Sequence, residues 1–312
     1  VIYPYKIAIN RKSKTITMFK GLYTAIVTPF REGKLDEPAY RRLIKHILDG
    51  GADGIVPNGT TGENPALDDD ERRAIISIAV EMCNEQGAKV IAGAGTNNTF
   101  RTIELVNDAD KLGADAALVI TPYYNKPTQR GLILHFQTVQ ENTSLPIVMY
   151  NVPSRTGVNM RADTAATLSE EANIAGLKEA SGDLVQFAEI ARRTPSSFTI
   201  LSGDDGLTLP SLAVGGNGVI SVAGNVAPKM MKDMLEAFEN GRVGEALKIH
   251  WKLLPLFQAL FAETSPAPCK KALEIMGICR AEVRLPLAPV EDKTAALLKE
   301  ALKAIGIGEA RG

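Results

Sequence analysis

A lysine stands inside the apolar run IAGLKEA (174–180), where a long charged side chain has no evident reason to be. Burial disfavours an ammonium. Lowering a lysine pKa from about 10.4 to near 7 corresponds to roughly 4–5 kcal/mol in favour of the neutral amine. A neutral amine attacks a ketone, and the resulting iminium is an electron sink: a proton leaves the adjacent carbon and an enamine nucleophile forms. Lys178 is thus a candidate Schiff-base residue for a small 2-oxo acid. Its competing reading is structural, a lysine that snorkels to solvent or is ion-paired.

Such a cycle needs a proton relay, and hydroxyls linked in a chain to solvent can supply one. Tyr150, Tyr124 and Thr60 are candidates, with ordinary aromatic packing as the alternative for the two tyrosines. Thr60 and Thr61 lie between Gly59 and Gly62 in a loop that is either a plain turn or a nest whose N–H groups receive a carboxylate. Arg155, shortly after Pro153, either clamps a second carboxylate with both arms of its guanidinium or is a surface arginine. Metal chemistry has little to build on. His46, His135 and His250 fall in separate helical stretches, and no HExxH or paired Cys/His spacing occurs, so no metal is expected. No G-x-S-x-G motif supports a serine triad.

The elements that must position these residues repeat along the chain. Short runs rich in Val, Ile and Ala alternate with amphipathic stretches: TAIVTPF (24–30), GIVPN (54–58), KVIAGAG (89–95), AALVITP (116–122), PIVMYNVP (146–153), IAGLKEA (174–180), FTILSG (198–203) and GVISVAG (218–224). None shows polar alternation, as expected of parallel strands covered on both faces. Asp36, Thr128 and Asp183 read as helix N-caps, and Gly50-Gly51 closes the first helix. Eight strand–helix units predict an α/β fold, a (β/α)8 TIM barrel over residues 18–240, followed by a helical C-terminal extension over 241–312. An open doubly wound sheet is disfavoured because no G-x-G-x-x-G follows the first strand. In a barrel the chemistry sits where strands end. The polar strand ends are NGTTGEN (58–64), TPYYNKP (121–127), YNVPSRTG (150–157), KEASGD (178–183) and SGDD (202–205).

The 312 residues are 45% hydrophobic and 23% charged, enough for a large core. A formal net charge of -1 provides no basic field for nucleic acid or anionic lipid, so small molecules are the expected partners. Apolar runs are too short to span a membrane. Cys83, Cys269 and Cys279 are widely spaced with no CxxC, which fits a reducing cytoplasm. Residues 1–17 precede Met18 and lack the features of a secretory signal, so they read as a tag or upstream extension.

The motifs GTTGE (59–63), PYYNKP (122–127), YNVPSRTG (150–157) and GLKEASGD (176–183) resemble those of the dihydrodipicolinate synthase family. That family lies within the pyruvate-dependent class I aldolases, alongside N-acetylneuraminate lyase. The likeness runs from Met18 to about Ile307, including GVISVAGNVAP and the helical extension. It implies that Lys178 forms the imine with pyruvate, that Tyr150 transfers protons beside it, and that Thr60 links Tyr150 to Tyr124. The tyrosine at the position of Tyr124 reaches across a dimer interface in the family. The resemblance therefore implies a homo-oligomer, a tetramer arranged as a dimer of dimers, whose separated monomers are defective. It further implies that Thr61 holds the pyruvate carboxylate, that Arg155 holds the carboxylate of L-aspartate 4-semialdehyde, and that Gly203 and Ile220 line the pyruvate pocket. The implied product is 4-hydroxy-tetrahydrodipicolinate, a precursor of lysine and diaminopimelate, and the resemblance implies that no cofactor is needed.

The Ser-Arg-Thr run after YNVP favours this reading over sister aldolases acting on N-acetylneuraminate or 2-keto-3-deoxy sugar acids, which carry small or apolar residues where Arg155 stands. A non-catalytic binding barrel is the reading from another class. The joint presence of Lys178, Tyr150, Thr60 and Tyr124 argues against it. One departure concerns regulation. Asn97 and Tyr123 match an effector site that binds lysine in some members, but Asp69 and Arg101 stand where those members carry a histidine and a glutamate. Weak or absent inhibition by lysine is expected, because Arg101 would repel an ammonium.

Overall fold

The computed structural model describes residues 19–308, so the reading of 1–17 lies outside the described residues. Eight parallel strands close into a barrel: β1 (Gly21–Ala25), β2 (Gly54–Val56), β3 (Lys89–Gly93), β4 (Ala116–Ile120), β5 (Ile147–Asn151), β6 (Ile174–Glu179), β7 (Thr199–Ser202) and β8 (Gly218–Ser221). Each strand pairs with its neighbours in chain order, and β1 closes the ring against β8 and β2. The expected (β/α)8 architecture is the one observed.

Alternate strand residues feed two cores. Tyr23, Val56, Ile91, Val148 and Leu201 point into the barrel, whereas Leu22, Ile55, Val90, Ile147 and Ile200 face the surrounding helices. Neither face meets water, which is why the strands lack polar alternation. The first helix, Glu37–Asp49, shows the match of sequence to structure at the outer layer. Asp36 accepts a hydrogen bond from the Ala39 N–H at 3.1 Å, Pro38 occupies the first turn, and Leu43, Ile44 and Ile47 are fully buried. Each such side chain contributes about 1.5–3 kcal/mol through removal from water. Thr128 caps Gln129–Glu141 and Asp183 caps Leu184–Arg193, as expected.

The runs read from sequence overshoot the strands at their C-terminal ends, because the apolar character continues into the loops that build the site. The first run is also displaced. β1 ends at Ala25, and Phe30–Arg31 instead pairs antiparallel with Lys34–Leu35 in a small separate hairpin. Pro29 has no N–H to donate and interrupts the run between these two elements. After β8 the chain is helical: Pro228–Glu239, Val243–Ala259, Ala267–Ile275 and Asp292–Ile305. The last three form the extension, and Val243–Ala259 lies across one side of the barrel mouth.

One irregularity decides the direction of Lys178. Between Ile147↔Ile174 and Val148↔Gly176 the β5–β6 register shifts by one residue, so Ala175 and Gly176 together oppose Val148. Ala175 points into the barrel, and unbroken alternation from it would also turn Leu177 inward and Lys178 outward. The bulge reverses that phase. Leu177 joins the outer core, and Lys178 pairs with the inward Tyr150.

Candidate active site

The C-terminal ends of β2, β5, β6 and β7 and the start of the extension surround a cavity of about 750 Å³. Thr60, Thr61, Tyr150, Arg155, Lys178 and Gly203 all contribute to its wall. Six of the residues singled out from sequence thus converge on one space.

Lys178 is 5% exposed, and its Nζ lies 4.3 Å from the centroid of the Tyr150 ring. Among the described residues no carboxylate comes within ion-pairing distance of it. Burial pushes its pKa down to about 8, Asp205 opposing and Arg155 adding to the shift. About a tenth of the amine is therefore neutral at pH 7, far more than for an ordinary lysine. Gly203 makes room for the lysine: a Cβ there would stand 2.9 Å from Lys178 Cε and 2.6 Å from Ala180 Cβ.

Tyr150 is buried, and burial raises its phenol pKa, partly offset by the Arg155 charge and by a hydrogen bond with the Thr60 side chain. The phenol therefore keeps its proton at neutral pH and is suited to donate it. Thr60 belongs to the loop after β2. There the Gly62 N–H donates to the Gly59 carbonyl and the Glu63 N–H to the Thr60 carbonyl, both at 3.1 Å. Asn58 and Glu63 flank this turn in the left-handed region, each at φ 55°, a conformation that costs a residue with a Cβ about 1–3 kcal/mol. Among the described residues the backbone N–H groups of Thr60 and Thr61 have no acceptor, so they are available to an anion.

Arg155 sits on the short helix Pro153–Thr156 and reaches the Ser265 carbonyl at 3.4 Å, a weak contact that leaves its guanidinium facing the cavity. Asp205 is a residue that sequence reasoning quoted in SGDD without giving it a role. Its buried carboxylate accepts from Ser221 Oγ and from the N–H groups of Val222 (3.0 Å) and Ala223 (2.8 Å), joining the ends of β7 and β8 beside Lys178. Burial raises its pKa, and these donors oppose the shift.

Four other expected residues stand outside this cavity. Ile220 is fully buried in the barrel interior with Tyr150 and does not border the cavity, where Val222 is found instead. Tyr124 is 89% exposed with φ 70° and touches no part of the cavity. Tyr123 lines a smaller adjoining space of about 170 Å³ that shares Thr60, Tyr150 and Arg155 with the main one. Asn97, expected near Tyr123, accepts through its carbonyl from Asn125 Nδ2 at 2.9 Å.

A closed parallel barrel that presents a buried, partly neutral lysine beside a protonated phenol defines a barrel enzyme of the amine-nucleophile class. Comparison with known proteins narrows this. Residues 18–305 match the dihydrodipicolinate synthetase family, and the chain belongs to that family. It is 48% identical over 294 residues to the 4-hydroxy-tetrahydrodipicolinate synthase of Thermotoga neapolitana, covering 93% of this chain and all of that one. The crystal structure of the dihydrodipicolinate synthase of Thermotoga maritima superimposes with a TM-score of 0.91 at 46% identity, covering 93% of this chain and 99% of that one. The chloride-inhibited enzyme of Acinetobacter baumannii, complexed with pyruvate, gives 0.90 at 38% identity, covering 94% and 100%.

Proposed function

We infer that this chain is a lyase that condenses pyruvate with L-aspartate 4-semialdehyde, giving 4-hydroxy-tetrahydrodipicolinate for lysine and diaminopimelate biosynthesis. The observation that carries the reading is Lys178: a buried lysine with no ion-pair partner among the described residues, facing a cavity beside a phenol, in a chain of this family.

The neutral Nζ of Lys178 adds to the C2 carbonyl of pyruvate, and water leaves to give the iminium. The Thr60–Thr61 turn holds the pyruvate carboxylate through its N–H groups and the Thr61 hydroxyl. A C3 proton departs, its electron pair flows into the iminium, and the enamine carbon forms the new C–C bond to the aldehyde. The aldehyde oxygen takes up a proton. Tyr150, joined to Thr60, passes protons in both steps. Arg155 receives the carboxylate of the second substrate in a two-armed hydrogen bond. Attack of that substrate's amino group on the imine carbon then closes the ring and frees Lys178. No step calls for a cofactor.

Tyr124 takes part only if a second copy of the chain receives it. Its exposure supports an oligomer in which it extends the Tyr150–Thr60 relay of a neighbouring site. At the expected effector position, Arg101 donates to Asp69 and, at 3.0 Å, to Glu104. The Arg101 hydrogen bond holds the Asp69 carboxyl below its ordinary range. A lysine ammonium would have to compete for a carboxylate already paired with a guanidinium, so strong inhibition by sub-millimolar lysine would overturn this part of the reading.

Borohydride reduction in the presence of pyruvate, followed by intact mass and peptide mapping, tests the core claim. A reduced pyruvate adduct at Lys178 is expected, and its absence refutes the imine. Condensation with aspartate semialdehyde, measured against cleavage of sugar acids, separates this activity from those of sister aldolases.

A further inference from the structure

Behind the carboxylate-binding turn lies a second buried lysine that the mechanism does not use. Lys270, on the helix Ala267–Ile275, is 0% exposed. Its Nζ pairs with Glu63 Oε1, donates to the Glu282 carbonyl at 2.7 Å, and lies 4.1 Å from the centroid of the Phe30 ring. The other oxygen of Glu63 accepts from the Arg284 N–H at 2.9 Å. Both carboxylate oxygens are therefore held by the extension, while the backbone of Glu63 sits at φ 55° two residues after Thr61. The grip continues outward. Arg284 donates to the carbonyls of Ala66 and Gly33, and the Glu282 carboxylate accepts from the Gly33 N–H at 2.6 Å.

We propose that the Lys270–Glu63 pair is a positioning device, which fixes the Thr60–Thr61 turn from behind so that its N–H groups face the pyruvate carboxylate. The inference rests on the reading of that turn as the carboxylate site. Two observations separate it from simple glue. A well-packed apolar pair would fill the same gap without two desolvated charges. And the bonds converge on the one residue of the turn's exit whose backbone is strained, where direction matters more than adhesion. The C-terminal helices thereby become part of the substrate site although Lys270 touches no substrate.

The double variant Glu63→Gln/Lys270→Met removes both charges at similar volume, which avoids leaving one of them buried and unpaired. The readouts are the pyruvate concentration that half-saturates borohydride-trapped adduct on Lys178, the maximal adduct, kcat, and KM for aspartate semialdehyde. Half-saturating pyruvate is expected to rise on the order of tenfold, as for loss of a well-aimed hydrogen bond to a charged group. Maximal adduct and the aldehyde KM should stay within about twofold of wild type. Should the double variant not fold, Glu63→Asp, which keeps the charge on the pair but shortens its reach, is read in the same way. An unchanged pyruvate dependence overturns the proposal, as does a parallel shift in both substrates and kcat. If wild type itself gives no adduct, the imine reading fails instead, so the two failures are distinct.

Discussion

Lys178 and Lys270 are both buried, both lie over an aromatic ring at little more than 4 Å, and both have their ammonium pKa lowered by desolvation. What differs is the company. Lys270 has a carboxylate and a carbonyl in direct contact, and Glu63 opposes the loss of its proton. Lys178 has a cavity of about 750 Å³ in front of it and, among the described residues, no carboxylate close enough to pair. A buried ammonium must be neutralised either by a partner or by releasing its proton. Lys270 takes the first course, and Lys178, its pKa pushed down to about 8, goes part of the way along the second.

Exchanging the two lysines for uncharged residues breaks the comparison most sharply. Lys178→Ala should abolish the trapped adduct and lower kcat/KM by on the order of 10⁴-fold or more, since the covalent route is lost. Its fold should persist, because the removed group is one that burial disfavours in its charged form. Lys270→Met should do the reverse. Unpairing Glu63 in the interior costs about 3–5 kcal/mol, read as a lower Tm, while Lys178 still reacts in molecules that remain folded. An adduct that survives in Lys178→Ala would invert the assignment.

The phenol and the guanidinium come next. Tyr150→Phe keeps the ring beneath Lys178 but removes the proton carrier, and kcat should fall about 10²- to 10³-fold with the adduct still trapped. Arg155→Ala should raise KM for aspartate semialdehyde about 10- to 100-fold while leaving the pyruvate dependence of trapping almost unchanged when both are measured on the alkaline plateau, above the Lys178 midpoint. Equal loss in both measurements would remove Arg155 from its assigned place.

How much of this was legible in the sequence follows from the same contrast. Lys178 was visible because a lone lysine in IAGLKEA violates the strand's own composition. Its inward direction was not, since a bulge that places Ala175 and Gly176 opposite one residue leaves no mark in an already apolar run. Lys270 was hidden by its neighbour. It stands beside Lys271, which is partly exposed and pairs with Glu274, and the two letters look alike. The signal available was helical spacing: Lys270 falls three residues from Ala267 and from Leu273, both buried, which puts it on the inward stripe. The helix caps were readable because they are local, decided within four residues. The grip of Glu63 spans 207 positions in sequence, and no local pattern marks it.

The smallest expected effect is the most direct measure of how Lys178 handles its charge. With a pKa near 8, about a tenth of the amine is neutral at pH 7, so adduct formation at sub-saturating pyruvate should rise about tenfold toward a plateau above pH 9. The stability contribution has the same sign. Between about pH 8 and pH 10.5 the unfolded chain binds the proton and the folded one does not, so stability increases with pH across that window. Integrated, the lysine contributes a rise of about 3 kcal/mol, and Lys178→Met should flatten it. Arg155 sharpens the test, because its positive charge helps hold the ammonium down. Arg155→Ala should move the midpoint of the adduct profile upward, whereas a charge-neutral change at the Lys270–Glu63 pair should leave it in place. A midpoint near the ordinary lysine value would mean that solvent reaches Lys178 as readily as it reaches a surface side chain, and the division of labour between the two lysines would not stand.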